Sequence, residues 1–371
     1  MSYQENLSKV INDVIEPAAR QVDQDGMFPR AGLTALGQSG LLGLTAAEKF
    51  GGGGRGLAEA ADVVEQVAGS CGSTAMVLMM HFAATAVLAA HGPDSILADI
   101  AAGQHLSTLA FSEVGSRSHF WAPLSSARQD GDAVVLDARK SWVTSAGQAD
   151  SYVWSSRPVS GTGPMTLWIV PSDSDGMSIP AAFDGLGLRG NASSPVAGDS
   201  VRIPVDAMLG GDGAGLDIAF ATALPSFLVL NAAFSLGLME AVIATTVSHV
   251  TSTRLEHLGQ TLANQPTVSD GLARMRLAAD SARVLLSDTI AALAAGRDDA
   301  QLRLLEVKVA AAEAAIEVTD LAMTVCGGSA FRKDLGIERR FRDARAARVM
   351  APTTEALRGF IGRALCGLPL F

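Results

Sequence analysis

AVVLDARKSWVTSAGQADSYVWSS, residues 133–156, is the stretch that keeps this chain from reading as all-helical. Its ends, AVVLDA and SYVWSS, are short β-branched runs. MTLWIV at 165–170 is another, and Gly, Pro, Asp and Ser punctuate the whole span from 106 to 204, as expected for strands joined by turns. Outward from this span the texture changes. Apolar residues recur at three- and four-residue spacing over 7–22, 57–68 and 74–90 on one side, and over 227–253, 267–295, 300–325 and 353–364 on the other. The order α, β, α predicts an α+β multidomain protein with an N-terminal helical domain (1–105), a middle antiparallel β domain (106–210) and a C-terminal helical domain (211–371). No GxGxxG follows a strand and opens a helix, which sets a nicotinamide-binding parallel sheet aside.

Charge excludes one class of partner. Against 28 Lys+Arg stand 38 Asp+Glu, a formal net charge of −10 in 371 residues, a balance that argues against a nucleic-acid binder, which needs clustered cations to displace counterions from phosphates. Hydrophobic residues make up 48% and mean hydropathy is +0.27, which raises the question of a membrane span. The richest stretch, 224–244, is interrupted by Pro225, Ser226, Asn231, Ser235 and Glu240, and reads as a buried helix, so no membrane insertion is expected. The N-terminus, MSYQENLSKVINDVIEPAAR, is charged and amphipathic with no signal-peptide pattern, and a cytoplasmic protein is expected. Cys71, Cys326 and Cys366 lack the paired spacing of a zinc site or disulfide framework and are expected to be buried structural thiols, with no metal bound. The GGGG at 51–54 has no Gly-Lys-Ser/Thr ending and reads as a helix connection, not a phosphate loop.

Colinear segments then carry a resemblance. AFSEVGSRS at 110–118, KSWVTSAGQAD at 140–150, GLRG at 187–190, VRIP at 201–204, CGGSAF at 326–331 and ERRFRDAR at 338–345 together resemble the acyl-CoA dehydrogenase family of flavoproteins from end to end. The resemblance implies that the middle domain is an antiparallel β-barrel, that the C-terminal domain is a four-helix bundle, and that the cofactor is FAD. It places Phe111 and Ser112 at the flavin pyrimidine edge, Trp142 and Thr144 against the ring system with Thr144 near N5, and Ser118 at a cofactor phosphate or the substrate's thioester arm. Donors at that edge are what a flavin needs to stabilise the charge that appears on reduction. At the adenine end, which crosses a subunit interface in the family, the resemblance implies Gly327, Gly328 and Arg254, although STRLEHLG departs from the family's R-x-x-F-G spacing. The arginine-rich 338–345 segment is treated as structural, and His119 as a solvated or structural loop residue.

The family reaction takes the α-proton of an acyl thioester as hydride leaves the β-carbon for flavin N5, and it needs a carboxylate base beside the α-carbon. By resemblance the base belongs where VMAPTTEALR, 349–358, reads Ala351, and the alternative family position falls on Ser226 or Phe227. Neither place holds an acid. Ala351 keeps a backbone N–H for the thioester oxygen, and Glu355 is the nearest candidate base in sequence, ahead of Glu113 and Glu240. The expected activity is FAD-dependent α,β-oxidation of a CoA or carrier-protein thioester by a homodimer or homotetramer. The alternatives are a monooxygenase or other carrier-linked oxidoreductase, the base-lacking partner of a hetero-oligomer, or a flavin-free scaffold.

Overall fold

The computed structural model describes residues 2–117 and 119–370, so Ser118 lies outside the described residues. The chain forms two compact units: Met1–Val63 with Met76–Gly185 and Arg189–Phe227, and Val64–Ala75 with Leu186–Leu188 and Leu228–Phe371.

The first unit draws on helices α1 (Tyr3–Val10), α2 (Glu16–Asp25), α3 (Arg30–Gln38), α4 (Leu57–Ser70), α5 (Gly72–His91) and α6 (Asp94–Ala101), with residues 64–70 of α4 and 72–75 of α5 belonging to the second. Ser2 and Glu5 form a reciprocal capping box that starts α1. A π-turn over Ile11–Ile15 leads into α2 just before Pro17, whose ring cannot fit a regular helical turn behind it; the wider turn keeps α1 and α2 nearly continuous. The helical periodicity found α1, α2, α4 and α5, while the short α3 and α6 escaped it.

Eight strands follow: β1 (Ser107–Ala110), β2 (Ser126–Asp130), β3 (Ala133–Val143), β4 (Ser151–Ser156), β5 (Thr166–Pro171), β6 (Met177–Ser178), β7 (Ser194–Pro204) and β8 (Met208–Leu209), then a short α7 (Gly215–Ile218). They make two four-stranded sheets, β1-β4-β5-β8 and β2-β3-β7-β6, instead of one closed barrel. Nor is the pairing wholly antiparallel, because β1 and β4 run parallel. A parallel pair needs a long crossover, and here β2 and β3 supply it by passing through the other sheet before the chain returns as β4. Every residue of β4 is buried, which suits its place between β1 and β5.

A histidine fixes part of this unit's interior. His81 of α5 is fully buried; its Nδ1 accepts the Ser107 N–H at 3.2 Å and its Nε2 lies 3.1 Å from the Leu42 carbonyl. Only a neutral ring protonated at Nε2 satisfies both bonds. Burial lowers the His81 pKa from 6.5 to about 4. The unfolded chain therefore binds the proton first, so this contribution is full above pH 6.5 and is lost as pH falls towards 4. Urea unfolding at pH 7 and pH 4 should show a loss that His81→Gln reduces by about 3 kcal/mol; an unchanged pH dependence in the variant would refute the assignment.

The second unit is built on α8 (Leu224–Ser252, from Leu228), the two-stranded β9 (Arg254–Leu255) and β10 (Gln260–Thr261), α9 (Pro266–Ala295), α10 (Ala300–Cys326), α11 (Ile337–Val349) and α12 (Thr354–Leu365). The family resemblance implied four helices here; ERRFRDAR adds α11 as a helix of its own. Along α10, Leu304, Val307, Lys308, Ala311, Ala315, Val318, Ala322 and Cys326 are buried at helical spacing, and α10 packs against α9, α11 and α12. Each fully buried Leu or Val there contributes roughly 1.5–3 kcal/mol. At Gly237 a Cβ would meet the Glu65 carbonyl at 2.0 Å, so the close approach of α8 to the end of α4 requires glycine.

Helix α5 and the continuous run Gly215–Ser252, in which a π-turn over Ala219–Ala223 joins α7 to α8, are long and apolar enough to cross a membrane, but 83% of each apolar window is buried inside the protein, as in a core helix. The sequence pointed to the second of these and passed over the first. Cys71 and Cys326 are buried, whereas Cys366 is exposed just past α12, contrary to the expectation for all the thiols. No group of residues able to hold a metal occurs among the described residues.

Candidate functional site

In the first unit, FSEVGS and KSWVTS lie side by side. The Ser112 carbonyl accepts the Ser141 N–H at 2.9 Å, and Glu113 pairs with Lys140 as an isolated antiparallel bridge. Their side chains form a buried ion pair: Lys140 Nζ reaches Glu113 Oε1 at 2.6 Å, the Ser155 carbonyl at 2.7 Å and Ser155 Oγ at 2.9 Å, which fills its donors. Burial pulls Lys140 down to about 8 against the raising effect of Glu113. Burial acts to raise Glu113, but Lys140 and the Ser125 hydroxyl more than offset it and hold the carboxyl below its ordinary value. Glu113 is thus a clamp between segments and not a free base. Each motif carried one member of the pair, but only the fold brings them together.

Directly after the clamp, register shifts between Lys140 and Val143 bulge β3 away from β7. Trp142 sits in this bulge at φ 57, with 72% of its surface exposed. A bulky residue in left-handed backbone costs energy, and such strain gathers at ligand sites. Ser112 is half-buried, and its hydroxyl has no partner among the described residues. Phe111 stacks on Phe120 with ring centres 6.3 Å apart. Thr144 is buried, and its hydroxyl lies 3.1 Å from Ser193 Oγ. His119 is exposed, and its Nδ1–H donates back to the Ser116 carbonyl at 2.9 Å, a local turn contact.

In the second unit, Ala351 lies on the link between α11 and α12, half-buried, and its N–H meets no acceptor among the described residues. Lys308 of α10, a residue the sequence did not single out, is fully buried and donates to the Met350 and Pro352 carbonyls at 2.8 and 2.7 Å. Burial lowers its pKa to about 7. Glu355 is exposed on the first turn of α12, with Arg348 at 3.2 Å. Its own backbone amide, then Arg348 and Arg358, hold its carboxyl below the ordinary value, which weakens it as a base. Glu240 is bound by Arg276 at 2.8 Å and Arg283 at 2.9 Å, and these arginines hold it down to about 2.

Gly327 ends α10 at φ 52, ψ −135, and a Cβ on it or on Gly328 would meet nothing within 4 Å, so this turn is an open backbone surface. Arg254 is exposed on β9 with only Glu256, at 3.8 Å, as an ion-pair partner among the described residues. The 338–345 segment binds backbone: Arg339 and Arg340 donate to the Ser70 and Gly69 carbonyls, and buried Asp343 accepts the Leu188 N–H at 2.6 Å. These contacts tie α11 to the end of α4 within the unit.

Comparison with known proteins gives this arrangement a family. The chain matches the acyl-CoA dehydrogenase N-terminal domain over residues 2–100, the middle domain over 108–201 and the C-terminal domain over 213–366. It is 29% identical over 355 residues to the mitochondrial short-chain specific acyl-CoA dehydrogenase of Bos taurus, covering 92% of this chain and 84% of that one. Its fold resembles that of butyryl-CoA dehydrogenase from Megasphaera elsdenii, with TM-score 0.91, 22% identity and coverage of 99% and 98%. It also resembles the prolyl acyl carrier protein oxidase AnaB, with TM-score 0.89, 20% identity and 98% of both chains covered. With helical, β and helical segments matched in order, the chain belongs to the acyl-CoA dehydrogenase family of flavin oxidoreductases.

Proposed function

We propose that this protein binds FAD and oxidises an acyl thioester at its α,β bond, with the customary glutamate of the family replaced by Ala351. The observation that carries the flavin reading is Trp142: a large aromatic face left in water, in strained backbone, one bulge away from a Ser112 hydroxyl with no partner among the described residues. Leaving that face exposed forgoes burial energy that a flat ring system recovers on binding. The residues present therefore fit the group. Phe111, Ser112 and Trp142 would hold its ring system; Thr144 joins them when its hydroxyl leaves Ser193. Gly327, Gly328 and Arg254 would hold the adenine end. When bound, FAD supplies the acceptor for the substrate's β-hydride.

The chain's own contribution to the chemistry centres on residue 351. Its N–H, without an acceptor among the described residues, donates to the thioester oxygen and stabilises the charge that grows there as the α-proton leaves, an effect worth roughly 3 kcal/mol for one pre-organised donor. Glu355 is the nearest carboxylate in sequence for the proton, and must shed Arg348 to serve. Because Glu113, Glu240 and Glu355 are all engaged by cations, a second reading has specific support: an oxidoreductase of the same fold that needs no α-proton acceptor, such as a flavin monooxygenase acting on carrier-bound acyl groups. A subunit that borrows its base from a Glu-bearing partner is the third. The assembly we propose is a homodimer or homotetramer, with that hetero-oligomer as the alternative.

Flavin affinity tests the first step. Purified protein should carry FAD or take it up stoichiometrically, and Trp142→Ala should weaken binding at least tenfold by fluorescence titration, the loss expected for one stacked aromatic face of about 1.5 kcal/mol. Equal affinity in wild type and variant would remove Trp142 from the site.

A further inference from the structure

Lys308 is a cation buried in an otherwise apolar helix face, at a cost in desolvation. It lies in the third turn of α10 on the face that buries Leu304, Val307, Ala311 and Ala312, is wholly shielded from water, and could be replaced by an alanine or leucine without breaking the apolar stripe. Its ammonium donates to the carbonyls that bracket residue 351: Met350 O at 2.8 Å and Pro352 O at 2.7 Å. The peptide joining Met350 to Ala351 is trans, since the only cis bond among the described residues is Ala351–Pro352. In a planar trans peptide the C=O and the N–H point in opposite directions. A donor that fixes the Met350 carbonyl therefore also fixes the Ala351 N–H, directed away from Lys308. That N–H is the one with no acceptor among the described residues.

We infer that Lys308 is a positioning residue for the Ala351 amide: by holding the carbonyls on either side of it, the ammonium locks and polarises the N–H that meets the thioester oxygen. A cation on the carbonyl draws electron density from the amide nitrogen and makes its N–H a stronger donor, as in any chain of polarised hydrogen bonds. The arrangement gives the oxygen side of the reaction a rigid, charge-backed donor, and leaves the α-proton to a separate acceptor. Burial at Lys308, which pulls its pKa to about 7, is the cost of having that charge in the low-dielectric interior where its effect on the amide is large. The inference rests on the acyl-thioester reading above. Lys308 acts through Ala351 and touches no substrate.

The test reads the substrate carbonyl directly. A crotonyl thioester of CoA carrying ¹³C at the carbonyl is bound to FAD-loaded protein, and its C=O stretch is followed by difference infrared spectroscopy. In the wild type the band should move to lower frequency than in solution. In Lys308→Met, which keeps the apolar stem, most of that shift should vanish, and the rate of flavin reduction by the matching saturated thioester should fall about tenfold, with FAD affinity unchanged. Lys308→Arg, whose guanidinium can still donate to both carbonyls, should retain the shift, and this variant decides the matter if the methionine variant does not fold. A methionine variant that is less heat-stable but keeps the full wild-type shift overturns the inference, as does an arginine variant that folds and loses it. A wild-type protein that binds FAD but leaves the carbonyl band at its solution position overturns the acyl-thioester reading, and this inference with it.

Discussion

Ala351→Glu should accelerate anaerobic flavin reduction by a saturated acyl-CoA at least a hundredfold. General-base catalysis contributes roughly 10²–10⁴ when the base is within reach of the proton. The link that carries residue 351 is already braced, because Lys308 holds the carbonyls of Met350 and Pro352 on either side, so the new side chain enters a fixed backbone. The amide N–H at 351 survives the substitution, and stabilisation of the thioester oxygen is retained alongside the new carboxylate. Stopped-flow absorbance of the flavin, wild type against variant, gives the ratio directly. No gain would show that residue 351 does not face the α-carbon, and the family's base position would have to be sought elsewhere in the chain.

Lys140→Met should destabilise the first unit by about 3–5 kcal/mol, the penalty for leaving a buried carboxylate without its cation. Glu113 would keep the Leu124 and Ser125 backbone amides and the Ser125 hydroxyl, but these neutral donors cannot balance its charge. Adding Glu113→Gln removes that charge while keeping an acceptor for the amides, so the double variant should be more stable than Lys140→Met alone. Urea melts of the wild type, both singles and the double form the cycle. Additive losses would mean that the pair is not coupled in solution. The same variants should loosen the bulge that carries Trp142, since Lys140 is the last residue of β3 in register before it. Flavin affinity should therefore fall with stability.

What the sequence disclosed, and what it withheld, follows from the range of the interactions involved. Runs such as SYVWSS and the helical spacing of apolar residues along α10 are local, and they are enough to mark β4 and α10. The parallel pairing of β1 with β4 depends on where the chain goes between residues 110 and 151, which no local pattern encodes. Glu113 and Lys140 stand 27 residues apart, each inside a recognisable segment, and only the bridge between those segments shows them to be one clamp. Trp142 was marked by its motif, but its left-handed backbone comes from a register shift against β7, a property of two strands at once. Lys308 is the opposite case. A lone lysine in an Ala-rich helix reads as a solvated side chain, and its role appears only when α10 is packed against the link that follows α11.

The account turns on the transfer of electrons from an acyl thioester to a flavin held by this chain. Oxygen-free mixing of the FAD-loaded protein with saturated CoA and carrier-protein thioesters, while the visible absorbance of the oxidised flavin is recorded, tests that transfer with no added electron acceptor. Bleaching by at least one thioester, with the matching enoyl product recovered in equal amount, is the predicted result. Flavin that stays oxidised with every thioester, but consumes oxygen once reduced by NADH, would contradict it and place the protein among the oxygen-using members of the fold.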